Sequence, residues 1–153
     1  MMMRVAAIGI VAMTMAGCSS IKTYPNTLPK NMHVTTKLDS GSKVTSTEAV
    51  LDIYRVNAKC ELKEEGRVDL DEAQKDVGLP TSGTLYLEFT FSNYNYLLRS
   101  SSSTSYGLLL APRPGTNYQT KAQYISGFYD VVVRESGGRV IEQVKLSDCK
   151  AKK

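Results

Sequence analysis

Residues 84–91 (TLYLEFTF) carry the clearest pattern of apolar and polar positions in the chain. Leu85, Leu87, Phe89 and Phe91 fall on one side, Tyr86, Glu88 and Thr90 on the other. Period-two alternation is the mark of a strand with one buried face. Burying four such side chains is worth about 1.5–3 kcal/mol each before conformational entropy is subtracted. This strand is expected at the centre of the core.

The same signature recurs on both sides of it. Residues 33–39 (HVTTKLD) read as a first strand, and residues 43–56, rich in β-branched side chains and containing VLDIYRV, as a second. Val68 and Leu70 alternate with Arg67 and Asp69 in a short strand. Residues 106–111 (YGLLLA) form another. Tyr118, Thr120, Ala122 and Tyr124 alternate with Gln119, Lys121, Gln123 and Ile125 in one more strand, and Tyr129, Val131 and Val133 with Asp130, Val132 and Arg134 in the next. Residues 139–146 (RVIEQVKL) are expected to return as a strand. Turn chemistry separates them: Ser40-Gly41-Ser42, Gly66 after the polar residues 61–65, the proline-bounded residues 112–117, and Ser136-Gly137-Gly138. The last needs positive φ, which glycine supplies. Residues 71–76 (DEAQKD) fit one helical turn or a loop. The pattern predicts an all-β fold: an antiparallel β-sandwich of about seven to eight strands, or a barrel-like closure of them.

Residues 92–105 (SNYNYLLRSSSSTS) break the pattern. Four consecutive serines and two asparagines predict a long soluble loop, yet Tyr94, Tyr96, Leu97 and Leu98 sit within it and Tyr106 follows. A long connection in a compact domain is often functional. Tyrosine among serine and asparagine makes an adaptable contact surface. The other reading is that the tyrosines pack back on the domain and the serines are a floppy tip.

The first residues carry a different kind of information. Arg4 precedes an uncharged apolar run, residues 5–15 (VAAIGIVAMTM). That run is too short to span a bilayer core, which needs about 20 apolar residues, but it has signal-peptide length and ends in small residues. Met15-Ala16-Gly17-Cys18 resembles the lipobox of bacterial lipoproteins, with methionine in the usual leucine position. That resemblance implies cleavage before Cys18 and acylation of its thiol and new N-terminus. Residues 1–17 are then a signal peptide, residues 18–32 a lipidated N-terminus and flexible tether holding Pro25 and Pro29, and residues 33–153 one β-sandwich domain. Several acyl chains hold a protein firmly where one binds only marginally. Ser19 and Ser20 after the cysteine, rather than Asp, imply by the same resemblance an outer-membrane anchor facing the periplasm.

Location decides how the other cysteines are read. With Cys18 acylated, Cys60 and Cys149 remain, and an oxidising compartment pairs them. Their bridge would tie the C-terminal end to an early strand and add about 4–5 kcal/mol on a chain-entropy estimate. A two-cysteine metal site lacks partners, since His33 is the only histidine. The run of Pro-Gly, Tyr118 and Tyr124, then YDVVVRE and SGG, resembles the last hairpin of transthyretin-like and immunoglobulin-like sandwich modules. The chain as a whole resembles small lipoproteins of Gram-negative bacteria, with YPNTLP after the anchor and a late PRPG turn.

Charge and motifs narrow the function by exclusion. The formal net charge is +4, one less after loss of Arg4, and basic and acidic residues are interspersed, so there is no nucleic-acid footprint. The basic tail of Lys150, Lys152 and Lys153 reads as a solvated terminus, with lipid head-group contact as its alternative. Ser40-Gly41-Ser42-Lys43 fits Ser-x-x-Lys, but such nucleophiles begin a helix and this one lies between two strands. Residues 81–84 (TSGT) resemble the Lys-Thr-Gly strand box of penicillin-binding enzymes, without its lysine. His33 has no nucleophile assigned beside it and reads as a solvated strand-end residue. Asp69, Asp71 and Glu72 lack the spacing of a calcium loop. No cofactor or metal is expected. The sequence therefore points to a non-enzymatic binding or structural module, held to the membrane through acylated Cys18. Its expected partner is an envelope protein or an envelope polymer. The alternatives are an accessory lipoprotein of a secretion machine and, at lower weight, an envelope hydrolase or enzyme inhibitor.

Overall fold

Two β-sheets face one another across a core built on the 84–91 row. The structure is a computed structural model describing residues 20–151. The expected signal peptide and lipidation site, residues 1–17 and Cys18, lie outside the described residues, as do Ser19, Lys152 and Lys153. Nine strands run in the order β1 (Met32–Asp39), β2 (Thr45–Val56), β3 (Leu62–Asp69), β4 (Gln74–Val77), β5 (Thr84–Asn95), β6 (Ser100–Leu110), β7 (Tyr118–Ile125), β8 (Phe128–Glu135) and β9 (Val140–Ile141). A short helix, α1 (Leu146–Ala151), follows. One sheet has the order β3-β2-β5-β6 and the other β4-β1-β7-β8-β9. All neighbours are antiparallel except β1 and β7. The sheets stay separate, so the fold is a sandwich and not a barrel.

The expected core row is fully buried: Leu85, Leu87, Phe89 and Phe91 have no exposed surface. Leu51 and Ile53 of β2 and Leu108 of β6 flank them on the same face. Val34, Tyr118, Val131 and Val133 meet them from the other sheet. The Gly137 and Gly138 turn joins β8 to β9 with both glycines at positive φ, as expected.

Several expectations are corrected. The 92–105 segment is not a loop. β5 continues to Asn95 and β6 begins at Ser100, paired residue for residue from Asn95↔Ser100 through Phe91↔Thr104. Serine and asparagine are poor strand formers, but β5 is a central strand laddered on both sides, and pairing overrides propensity. Residues 74–77 are a strand rather than a helical turn, pairing with β1 as a short edge, His33↔Asp76. Residues 139–146 pair only at Val140 and Ile141, and the chain then turns into α1.

Gly66 is not a turn. It lies within β3 at a register shift opposite Ile53 and Tyr54, with φ near 141°. A Cβ there would sit 2.6 Å from Tyr24 Cα, so only glycine lets the N-terminal segment lie this close. That segment is docked rather than free. Tyr24 is 7% exposed. Its backbone N–H donates to Arg67 O at 2.8 Å and its hydroxyl to Gly78 O at 2.7 Å. Asn26 and Asn31 bond the backbone of residues 78 and 79. The strap therefore crosses from β3, in one sheet, to the chain after β4, in the other. It begins at Lys22, whose N–H donates to Glu64.

The disulfide pairs Cys60 with Cys149 across 89 residues. Cys60 lies in the connection between β2 and β3 and Cys149 in α1, so the bridge holds the C-terminal helix to the body.

Candidate functional site

Three turns gather at one end of the sandwich. They connect β1 to β2, β5 to β6, and β7 to β8. Tyr96 N–H donates to Val44 O at 2.9 Å, tying the β5–β6 turn to the first of them. Ser126 N–H donates to Asp39 O at 2.8 Å, tying the third to the end of β1.

The β5–β6 turn is braced from within. Asn95 Oδ1 accepts from the N–H groups of Leu97 and Leu98 at 3.0 and 2.9 Å. Tyr94 and Tyr96 meet edge to face with ring centroids 5.2 Å apart. Yet these side chains face water: Tyr96 is 58% exposed, Leu97 75% and Leu98 76%. Tyr94 is exposed as well. The structure thus brings together four of the five expected interaction residues. Tyr106 is the exception. It sits opposite Phe89 on the inward face of β6 and packs against the core.

Sequence reasoning missed Phe128, which starts β8 at the same end and is 82% exposed. An aromatic directly after Ser126-Gly127 was the available signal. Tyr129 shares its row with buried Val131 and Val133, but it lies near this end of the sandwich and stays substantially exposed while its ring contacts Phe91.

The other candidates stay apart from this end. His33 Nδ1 lies 2.6 Å from Asp76 Oδ1, a pair that the register of β1 and β4 dictates. Ser40 is occupied as a turn residue, its hydroxyl within 2.8 and 2.9 Å of the carbonyl oxygens of Ser42 and Thr45. Among the described residues no three His, Cys, Asp or Glu side chains converge as metal ligands. That includes Asp69, Asp71 and Glu72.

The outward face of the four-stranded sheet carries a charged group of its own. Arg67 donates to both carboxylate oxygens of buried Asp52 at 2.7 and 2.8 Å. Glu88 stands directly opposite Asp52 on β5. Burial, then the Asp52 charge, hold the Glu88 carboxyl above its ordinary range, and Arg67 offsets part of this. A raised carboxyl pKa in the folded state means that ionisation costs stability. The cost is absent below the unfolded value, about pH 4, and grows as pH rises through the folded value. Glu88→Gln is therefore expected to melt higher than the wild type at pH 7, the gap closing at pH 3.5. Equal melting temperatures at both pH values would contradict it.

The chain matches no known protein family, and no curated protein is similar enough to it in sequence to count as a match.

Proposed function

We propose that this is a non-enzymatic docking module of the bacterial envelope, acylated at Cys18 and anchored in the outer membrane on its periplasmic face. Its braced tip binds an envelope protein. The observation that carries this reading is the direction from which the N-terminal strap enters, away from the tip. The strap enters beside β3, parallel to it, with Thr23 bridged to Arg67. Arg67 is level with Asp52 and Glu88. From Glu88 to Asn95 is seven residues along β5, about 23 Å at roughly 3.3 Å per residue. Upstream of Thr23 the chain heads the other way. An anchor at Cys18 would thus leave Tyr94, Tyr96, Leu97, Leu98 and Phe128 pointing away from the membrane that holds it. An apolar tip aimed away from its own bilayer suits a protein partner better than a lipid surface. Tyrosine adds contact area at low entropic cost, and the bracing by Asn95 lowers the cost of ordering the turn.

Site-specific photocrosslinking in intact cells tests the reading, with the photoreactive residue at Leu97 and, as control, at Lys59 near the opposite end. A discrete adduct from position 97 alone is expected. It is expected to fall about thirtyfold in apparent affinity with Tyr96→Ala and Leu98→Ala together, the loss of an anchor worth about 2 kcal/mol. Cys18→Ser is expected to move the protein out of the membrane fraction and abolish the adduct. Equal adducts from both positions would sink the docking tip, and a Cys18→Ser protein that still fractionates with membranes would sink the anchor.

A further inference from the structure

Behind the tip, between the two sheets, the inward face of the four-stranded sheet changes chemistry. Up to Ala49 and Phe91 its buried residues are apolar. Beyond them it carries two rungs of three neutral polar side chains. The register gives Thr47↔Asn93↔Ser102 and Thr45↔Asn95↔Ser100. None is charged and none is apolar. Across the gap Tyr124 of β7 closes a cleft of about 270 Å³, with Thr45, Asn93, Asn95, Ser100 and Ser102 on its walls. Phe91 lies behind, its ring centroid 6.1 Å from that of Tyr124 and 6.0 Å from that of Tyr129.

The amides in this cleft are held with their donors unspent. Asn93 Oδ1 accepts from the Thr47 hydroxyl at 2.7 Å, so its NH₂ group is left to donate. Asn95 Oδ1 is taken by the turn, leaving its NH₂ with only a long 3.5 Å approach to Thr45 Oγ1. Four other clefts of the described residues each carry charge: Lys30 in two, Lys121 and Asp130 in a third, Arg67 and Asp69 in a fourth. The mouth cleft has none.

We infer that the mouth cleft is a binding site for a neutral saccharide, a free oligosaccharide or one unit of a glycan chain. An anion would find no cation here, and a cation no carboxylate. A purely apolar ligand would strand the amides and hydroxyls without partners, at about 1–3 kcal/mol each. A pyranose has what the cleft lacks: hydroxyls that both donate and accept, and a C–H face that lies flat on an aromatic ring. At about 270 Å³ the cleft is slightly smaller and more polar than most small-ligand pockets, which suits one hydroxyl-rich sugar unit against a single aromatic wall. The site uses the inward residues of β2, β5 and β6. It is independent of the outward tip side chains that would hold a protein partner.

The test is binding of the purified full-length protein to immobilised chitotetraose, cellotetraose and maltotetraose, with sialylated and sulfated oligosaccharides as charged controls. Retention on at least one neutral probe is expected. Asn93→Ala is expected to weaken it tenfold or more. Ser102→Ala, at an exposed hydroxyl outside the core, is expected to weaken it several-fold with unchanged melting, which guards against misfolding as the cause. Tyr96→Ala with Leu98→Ala is expected to leave it unchanged, separating this site from the docking tip. No retention of any neutral probe at millimolar concentration would overturn the inference. So would retention of the charged controls alone, or retention indifferent to both Asn93→Ala and Ser102→Ala.

Discussion

Replacing Cys60 and Cys149 by serine is expected to destabilise the protein by about 4–5 kcal/mol, the chain-entropy value for a closed loop near this length. The bridge spans 89 residues, which include β3 through β9. For a domain of this size that corresponds to a fall in melting temperature of roughly 12–18 °C. The loss has a local part. Beyond the two-residue pairing of β9, the disulfide is the covalent tie between the C-terminal segment and the body. Residues 142–151 are therefore expected to become protease-sensitive before global unfolding, as a weakly held unit does. Thermal unfolding with and without reductant measures the first effect and limited proteolysis the second. Reductant should shift the wild type and leave the double variant where it is. A shift under 3 °C would show that the crosslink constrains little.

Phe91→Ala is the second large effect, expected to cost about 3 kcal/mol. Phe91 has no exposed surface and is the last apolar residue on the inward face of β5. Its ring contacts Tyr124 and Tyr129 from the opposing sheet. Large-to-small changes at buried phenylalanine cost about 3–5 kcal/mol, more where the cavity cannot collapse. Here the neighbouring mouth is open, so water and the two tyrosines relieve part of the void and the lower end applies. Phe91→Leu is expected to cost under about 1.5 kcal/mol, because it keeps most of the volume. Denaturant midpoints with an unchanged slope would read these as stability changes. An alanine variant as stable as wild type would mean that Phe91 does not hold the sheets together at that end.

The core of this fold was legible because burial imposes a strict period. Leu85, Leu87, Phe89 and Phe91 alternate without interruption and lie where expected. The cysteine pairing followed from having two cysteines left over. What escaped lacked that period. From Ser92 to Asn95 and from Ser100 to Ser105 the β5–β6 ladder is polar on both faces except at Tyr94, so alternation in the sequence vanishes while the backbone pairing continues. β4 is an edge strand of four residues in which only Val77 is buried. Gly66 reads as a turn because the sequence does not reveal that Tyr24 will press against it. The tip residues could be singled out by composition, but their bracing by Asn95 is a property of the turn. The mouth cleft left no mark, since Asn93, Asn95, Ser100 and Ser102 resemble any soluble stretch until two strands set them side by side.

The parallel pair β1–β7 bears on how the chain reaches this state. Met32 lies beside Tyr118, so the five-stranded sheet cannot close until most of the chain is present. A polypeptide emerging N-terminus first holds β1 long before β7 exists. β2 with β3 and β5 with β6 are hairpin neighbours and can form as they appear. β1 must wait, paired on one side by the short β4 alone, with its other edge open. Contacts this distant in sequence slow folding, and an unpaired edge in the interval is where chains associate with one another. β7 can slot in beside β1 only once nearly the whole chain is available, and doing so removes the exposed edge.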